Sequence, residues 1–218
     1  MKGLLMKDFC LITQQKKMLA IMLGVMIVLF NSDNNMSFAM GYFMFLSAIL
    51  AVGTISYDKL DGGMGFLFTM PINCKTYVVE KYIFTTIIEV LAGVFAMVVY
   101  TIWNSFQAQM EPIQEIAMVS LVMLFVVSLV TAMYIPVNLK YDADKGRIIL
   151  FAVAVVVASV ATMFGKIMEK NPQMGNRIEA FLESMTATQL VLSAILIWLL
   201  ALVISVVSAI RFMEKKEY

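Results

Sequence analysis

Ile116–Val137 runs for 22 residues without a charged side chain, and Leu190–Ile210 does the same over 21. Segments of this kind limit the fold more than any other feature. About 20 apolar residues at a rise of about 1.5 Å each cross the roughly 30 Å hydrocarbon layer of a bilayer. Lipid offers no partner for a free N–H or C=O, so such a segment must close its own hydrogen bonds as a helix. Composition agrees: 61% of the chain is hydrophobic and 14% charged, against about 45–50% and about 25% in soluble domains. The expected class is an all-α polytopic membrane protein, a single transmembrane domain over residues 1–218.

Six spans are expected. The first covers 18–34, with Met18–Phe30 its uninterrupted apolar part. The others are Phe38–Ile55, Ile83–Trp103, Ile116–Val137, Ile148–Phe164 and Leu190–Ile210. The loops set the orientation, because Lys and Arg accumulate on the cytosolic side. The N-terminal segment, the second-to-third connection, the fourth-to-fifth connection and the C-terminal tail hold thirteen of the sixteen basic residues. The remaining three, Lys166, Lys170 and Arg177, share one loop on the other side. Both termini are therefore expected in the cytosol. Residues 1–17 read as an amphipathic interfacial helix, with Met1, Leu5, Phe9 and Ile12 on one side and Lys7 and Gln14 roughly opposite. Asn176–Met185 reads as a short helix at the outer interface, with Ile178, Phe181, Leu182 and Met185 at helical spacing. The N-terminus does not read as a cleavable signal peptide, because its polar stretch is long and no small-x-small site follows the first apolar run.

Several chemistries are excluded. The chain has no histidine, which removes a Ser-His-Asp triad and His-ligated metals. Cys10 and Cys74 both fall on the side expected to be reducing, so neither a disulfide nor a zinc site is expected. No G-x-x-x-x-G-K-[ST] element is present, and Gly62, Gly63 and Gly65 precede Phe66 with no basic residue beside them. No basic stripe with interleaved aromatics points to nucleic acid. Catalytic residues and bound metals or cofactors are thus not expected. Glu89 is the one charged residue inside the apolar part of an expected span. It reads either as a proton or cation relay or cargo contact, or as a structural hydrogen bond to a neighbouring helix. Twenty methionines and fifteen phenylalanines suit either an adaptable surface for apolar cargo or ordinary packing. Gly24, Gly41, Gly53 and Gly93 offer places for close helix approach.

The loops expected in the cytosol carry the most information. The first contains Tyr57, Asp58, Asp61, Gly62, Gly63 and Gly65, then the apolar segment Phe66-Leu67-Phe68 and Met70-Pro71. A short helix with exposed apolar residues there suits docking into a partner's groove, or a re-entrant membrane anchor. The second loop contains Lys140, Asp144, Lys145 and Arg147, a second docking contact or a solvated turn.

In order and spacing these motifs resemble the permease subunits of ABC-2 type exporters, above all the small six-span permeases common in Firmicutes. The matching elements are Met1-Lys-Gly-Leu-Leu-Met-Lys-Asp8, Thr69-Met70-Pro71-Ile72 followed by Val79-Glu-Lys-Tyr82, and Lys140-Tyr-Asp-Ala-Asp-Lys-Gly-Arg147, where Asp142 replaces the usual glycine. Together they extend over almost the whole chain. Within the family the resemblance is to permeases exporting phenol-soluble modulins. It implies several things: a bacterial cytoplasmic membrane location; a coupling helix at roughly Gly62–Asn73; a separate ABC ATPase subunit holding ATP and Mg; a second permease subunit; lipid contact; and a cargo of amphipathic α-helical peptides. Two other classes stay open: a stand-alone proton-coupled carrier switching at Glu89, and a non-transporting membrane scaffold or immunity protein.

Overall fold

The computed structural model of the chain describes residues 2–30, 36–60, 63–69, 72–106, 112–141, 148, 163 and 187–215. The described residues form seven helices: α1 Lys2–Gln14, α2 Lys16–Phe30, α3 Met36–Lys59, α4 Gly63–Thr69, α5 Cys74–Asn104, α6 Ile113–Lys140 and α7 Ala187–Glu214. No strand occurs among them. Four stretches are long and apolar enough to cross a membrane: Ser37–Lys59, Cys74–Asn104, Ile113–Lys140 and Ile195–Glu214. A fifth arises if α1 and α2, bent by 63° at their junction, count as one broken span. The expected span Ile148–Phe164 and the expected outer helix Asn176–Met185 lie outside the described residues, apart from single positions at 148 and 163.

α3 is the axis of the bundle. It packs against α2, α5 and α6, while α6 also holds α5 and α7, and α1 lies across α3 and α5. Over half of the span window of α3 is buried, against 11% for α7. The outward faces of α6 and α7 present Leu121, Val122, Met133, Leu196, Leu200 and Ile204, each more than half exposed. Apolar side chains outside and polar ones inside are what a hydrocarbon solvent selects. The interior divides into two main apolar clusters. One gathers Val52, Ile55, Met64, Leu67, Tyr77, Leu139 and Met213 at the α4 end. The other gathers Met22, Met26, Met40, Phe43, Ala96 and Ile116 at the far end.

Of the four glycines expected at helix contacts, two serve that purpose. A Cβ at Gly93 would meet Met44 Cε at 3.0 Å and Leu124 Cδ1 at 3.5 Å, so α5 approaches α3 and α6 closely there. A Cβ at Gly41 would meet Met123 Sδ at 3.1 Å. Gly24 and Gly53 have open space where a Cβ would stand and explain no packing.

Hydroxyls inside the bundle mostly bond back to their own helix, as Ser47 does to Phe43 O and Thr85 to Lys81 O, which satisfies them without a partner helix. Ser205 is different. Pro136 lies inside α6 and has no N–H, so the carbonyl four residues earlier, on Ala132, loses its helical donor. Ser205 of α7 donates its hydroxyl to that carbonyl. Its proton is thereby committed, so the bond between Tyr82 and Ser205 must run from the tyrosine O–H to the serine oxygen. One serine thus joins α5, α6 and α7. Ser205→Ala orphans both groups and is expected to cost about 1–3 kcal/mol. A lower midpoint in denaturant titration of the detergent-solubilised protein is the check.

Candidate functional site

Charged side chains mark the ends of membrane spans when they are solvated, yet the first two turns of α5 bury both Glu80 and Lys81. Lys81 is 1% exposed. It follows Tyr77 and Val78 at i+4 and i+3, on the face that packs against the bundle. An ammonium carries three N–H donors, and here each has an acceptor. Lys81 bonds Asp8 Oδ2 of α1, lies 2.9 Å from Asp58 Oδ2 of α3, and donates to Thr54 Oγ1 at 3.1 Å. The Tyr77 ring centroid stands 5.2 Å from the same ammonium.

The two carboxylates are held from further sides. Asp8, fully buried, has the Thr54 hydroxyl at 3.2 Å. Asp58, 6% exposed, accepts the Tyr77 O–H at 2.8 Å. Lys7 pairs with Asp58 and lies 3.4 Å from Asp8 Oδ1. Two ammoniums therefore face two carboxylates, and the quartet has no net charge. Lys7, one third exposed in its side chain, is its only outward member. Glu80 is also fully buried within electrostatic reach of these charges, and among the described residues neither of its carboxylate oxygens has a hydrogen-bond partner.

α4 sits on this cluster. Its Met64 and Leu67 point into the apolar core. Phe68 packs against that core and meets the Tyr77 ring edge-on at 6.2 Å. Phe66 turns the other way and is 67% exposed. At the start of the helix, a Cβ on Gly63 would come within 2.8 Å of the Asp58 carbonyl oxygen. No other residue type fits there without moving backbone, so the turn from α3 into α4 is pressed onto the residue that anchors the ion pairs.

The sequence-derived docking residues thus separate. Tyr57, Gly65 and Phe66 are exposed, and Tyr57 also accepts from Gln15 Nε2 at 3.3 Å. Gly63 and Phe68 are partly covered. Asp58 and Leu67 face inward, so they support α4 from below. Lys140, exposed at the end of α6, lies 5.1 Å from the Tyr141 ring and 5.0 Å from the Phe212 ring. Beside it, Lys59 of α3 reaches the last carbonyls of α6, bonding Asn138 O, Leu139 O at 3.4 Å and Tyr141 O at 2.6 Å. A cation there complements the C-terminal end of the helix dipole. Asp61, Gly62, Met70, Pro71, Asp144, Lys145 and Arg147 lie outside the described residues.

Glu89 is 2% exposed and accepts the Thr131 hydroxyl of α6 at 2.6 Å. One turn away, Trp198 Nε1 of α7 donates to Ser128 Oγ at 2.7 Å. These are helix-to-helix hydrogen bonds. Among the described residues no group of three or more Cys, Asp or Glu is placed to hold a metal ion.

The sequence reading missed Asp8, Thr54, Tyr77 and Lys81 as a unit. One signal was present: Lys81 occupies an inward position in the run Tyr77, Val78, Tyr82 and Thr85, where a lysine is stable only with a buried partner. Nothing in the sequence says that the partners lie 73 and 23 positions away.

A family model described as ABC-2 family transporter protein matches residues 3–214. No curated protein and no solved structure matches the chain.

Proposed function

The chain belongs to the ABC-2 transporter family, and from that premise we propose that it is the permease subunit of an ATP-driven exporter whose engine docks on α4. Membership makes it a membrane transport component and implies partnership with an ABC ATPase. The observation that carries the docking reading is the split character of α4. Met64 and Leu67 fix the helix to the core, while Phe66 stands out from it, two thirds exposed, with Tyr57 exposed nearby in sequence. An aromatic anchor on a firmly held short helix is what a groove in a partner subunit recognises.

In this reading α4 is the coupling helix on the cytosolic side, and both termini share that side. ATP and Mg are bound by the partner. Two permeases and two ATPases form the transporter in a bacterial cytoplasmic membrane. Nucleotide binding closes the ATPases and displaces α4, and the spans change their exposure from one side of the bilayer to the other. α5 is 31 residues long, some ten more than the roughly 20 needed to cross. Its first turns therefore extend past the hydrocarbon toward α4. The proposed cargo is an amphipathic α-helical peptide, for which the apolar, methionine-rich spans are suited.

Phe66→Asp tests the docking. The residue is exposed, so the fold should persist, with a melting temperature within about 2 °C of wild type. Capture of the ATPase by the affinity-purified permease should fall about tenfold or more, because a charge at an aromatic anchor is not accommodated in an apolar groove. Undiminished capture would overturn the docking role of α4.

A further inference from the structure

Asp8, Asp58 and Lys81 belong to three helices that are distant in sequence, and α4 reaches them by two routes. The first is the backbone: Gly63 abuts the Asp58 carbonyl, only five residues along the chain. The second is aromatic: Phe68 meets the Tyr77 ring, whose hydroxyl is bonded to Asp58. Beyond Asp58 the contacts continue through Lys81 into α5 and through Asp8 into α1.

We infer that Asp8, Asp58 and Lys81 are positioning residues for transport, carrying displacement of α4 into α1 and α5; the inference rests on the reading of α4 as the helix that the ATPase moves. Solvated ion pairs could not do this, since they exchange partners with water and slide. Here the ammonium has all three donors engaged inside the protein, and both aspartates are buried. Moving one member without the others would bare a charge in a dry site, so the three helices shift together. α1 is gripped near its middle, at Asp8, with Leu4 and Ile12 buried one turn to either side. The 63° bend between α1 and α2 separates the gripped helix from the one that follows it. α1 can thus follow α4 while α2 stays with its neighbours.

Cys10 reports on α1 directly. It is exposed, and in Cys74→Ser it is the only thiol of the chain. The experiment uses the native complex with its co-purifying ATPase in lipid nanodiscs. The rate of maleimide modification of Cys10 is measured without nucleotide and again after trapping with ATP and vanadate. The two rates are expected to differ by about fivefold. In Asp8→Asn/Lys81→Gln, which removes one charge of each sign and leaves Lys7 paired with Asp58, the rates should agree within about 1.5-fold, while ATPase capture and ATP hydrolysis persist.

Tyr77→Phe is the milder companion. It keeps the ring against Phe68, withdraws the hydroxyl from Asp58, and should lower the rate difference to about twofold. It decides the matter if the double variant does not fold. Equal rates in the parent, or an undiminished difference in the folded double variant or in Tyr77→Phe, would overturn the inference. Those results leave Phe66→Asp still losing the ATPase, whereas failure of the docking reading shows as Phe66→Asp retaining it.

Discussion

Lys81→Met should be among the most damaging single substitutions in this protein, costing about 3–5 kcal/mol. Methionine fills much of the same space, so little packing is lost. The damage comes from Asp8 and Asp58, which keep their buried sites and lose the ammonium between them. Lys7 alone then faces two carboxylates from a partly exposed position. The expected observation is a large drop in the denaturation midpoint of the detergent-solubilised protein and a poor yield of monodisperse material. Asp8→Asn/Lys81→Gln removes both signs together and should recover most of the loss, to within about 1 kcal/mol of the parent. Equal damage from Met and from the neutral pair would mean that shape, not charge, governs the site.

Leu67→Asp should be nearly as severe, at about 4 kcal/mol or more, because it removes a packed leucine and places a carboxylate among Val52, Ile55, Met64 and Tyr77. Its neighbour Phe66 makes the contrast informative. The two residues are adjacent in sequence and share the same short helix, yet Leu67 is 9% exposed and Phe66 is 67% exposed. An aspartate at 67 should prevent accumulation of folded permease in the membrane. The same aspartate at 66 should give normal amounts of permease lacking its ATPase. Quantifying membrane-inserted protein and captured ATPase side by side separates the two effects. A Leu67→Asp permease that accumulates and melts like the parent would show that α4 is not seated on the core.

The helical class and the cores of the spans were legible because a charge-free run of some twenty residues has one stable conformation in lipid. Ile116–Val137 lies inside α6 and Leu190–Ile210 inside α7, and Ile83–Trp103, free of charge but for Glu89, lies inside α5. The ends were less legible, for a consistent reason. The expected third span starts at Ile83, where the charges of Glu80 and Lys81 stop, whereas α5 starts at Cys74. The expected second span ends at Ile55, short of Asp58 and Lys59, whereas α3 runs through both. A charge reads as a boundary when its partner is water; Asp58, Lys59 and Lys81 have partners inside the protein.

α1 shows the same effect. Its apolar stripe was read through Leu5, Phe9 and Ile12, but the buried face is Leu4, Asp8 and Ile12. Pairing of Asp8 with Lys81 fixes the rotation of the helix against the pull of a moderate apolar pattern. Phe9 still contributes, edge-on to Phe84 at 5.2 Å. The ionic cluster was illegible as a site because it is assembled from three segments by tertiary contact alone.

Pro136 has a consequence for how this sequence can vary. The hydrogen that proline lacks leaves an acceptor that Ser205 fills, so the two positions form an epistatic pair across helices of unrelated sequence. Replacing the proline first gives Ala132 a backbone donor again and makes the serine dispensable to it; replacing the serine first leaves the carbonyl bare. The two orders thus pass through different intermediates: with the proline replaced first only the Tyr82 hydroxyl loses its acceptor when the serine goes, whereas with the serine replaced first the Ala132 carbonyl is bared as well, so the milder mutational path through α6 and α7 starts at Pro136.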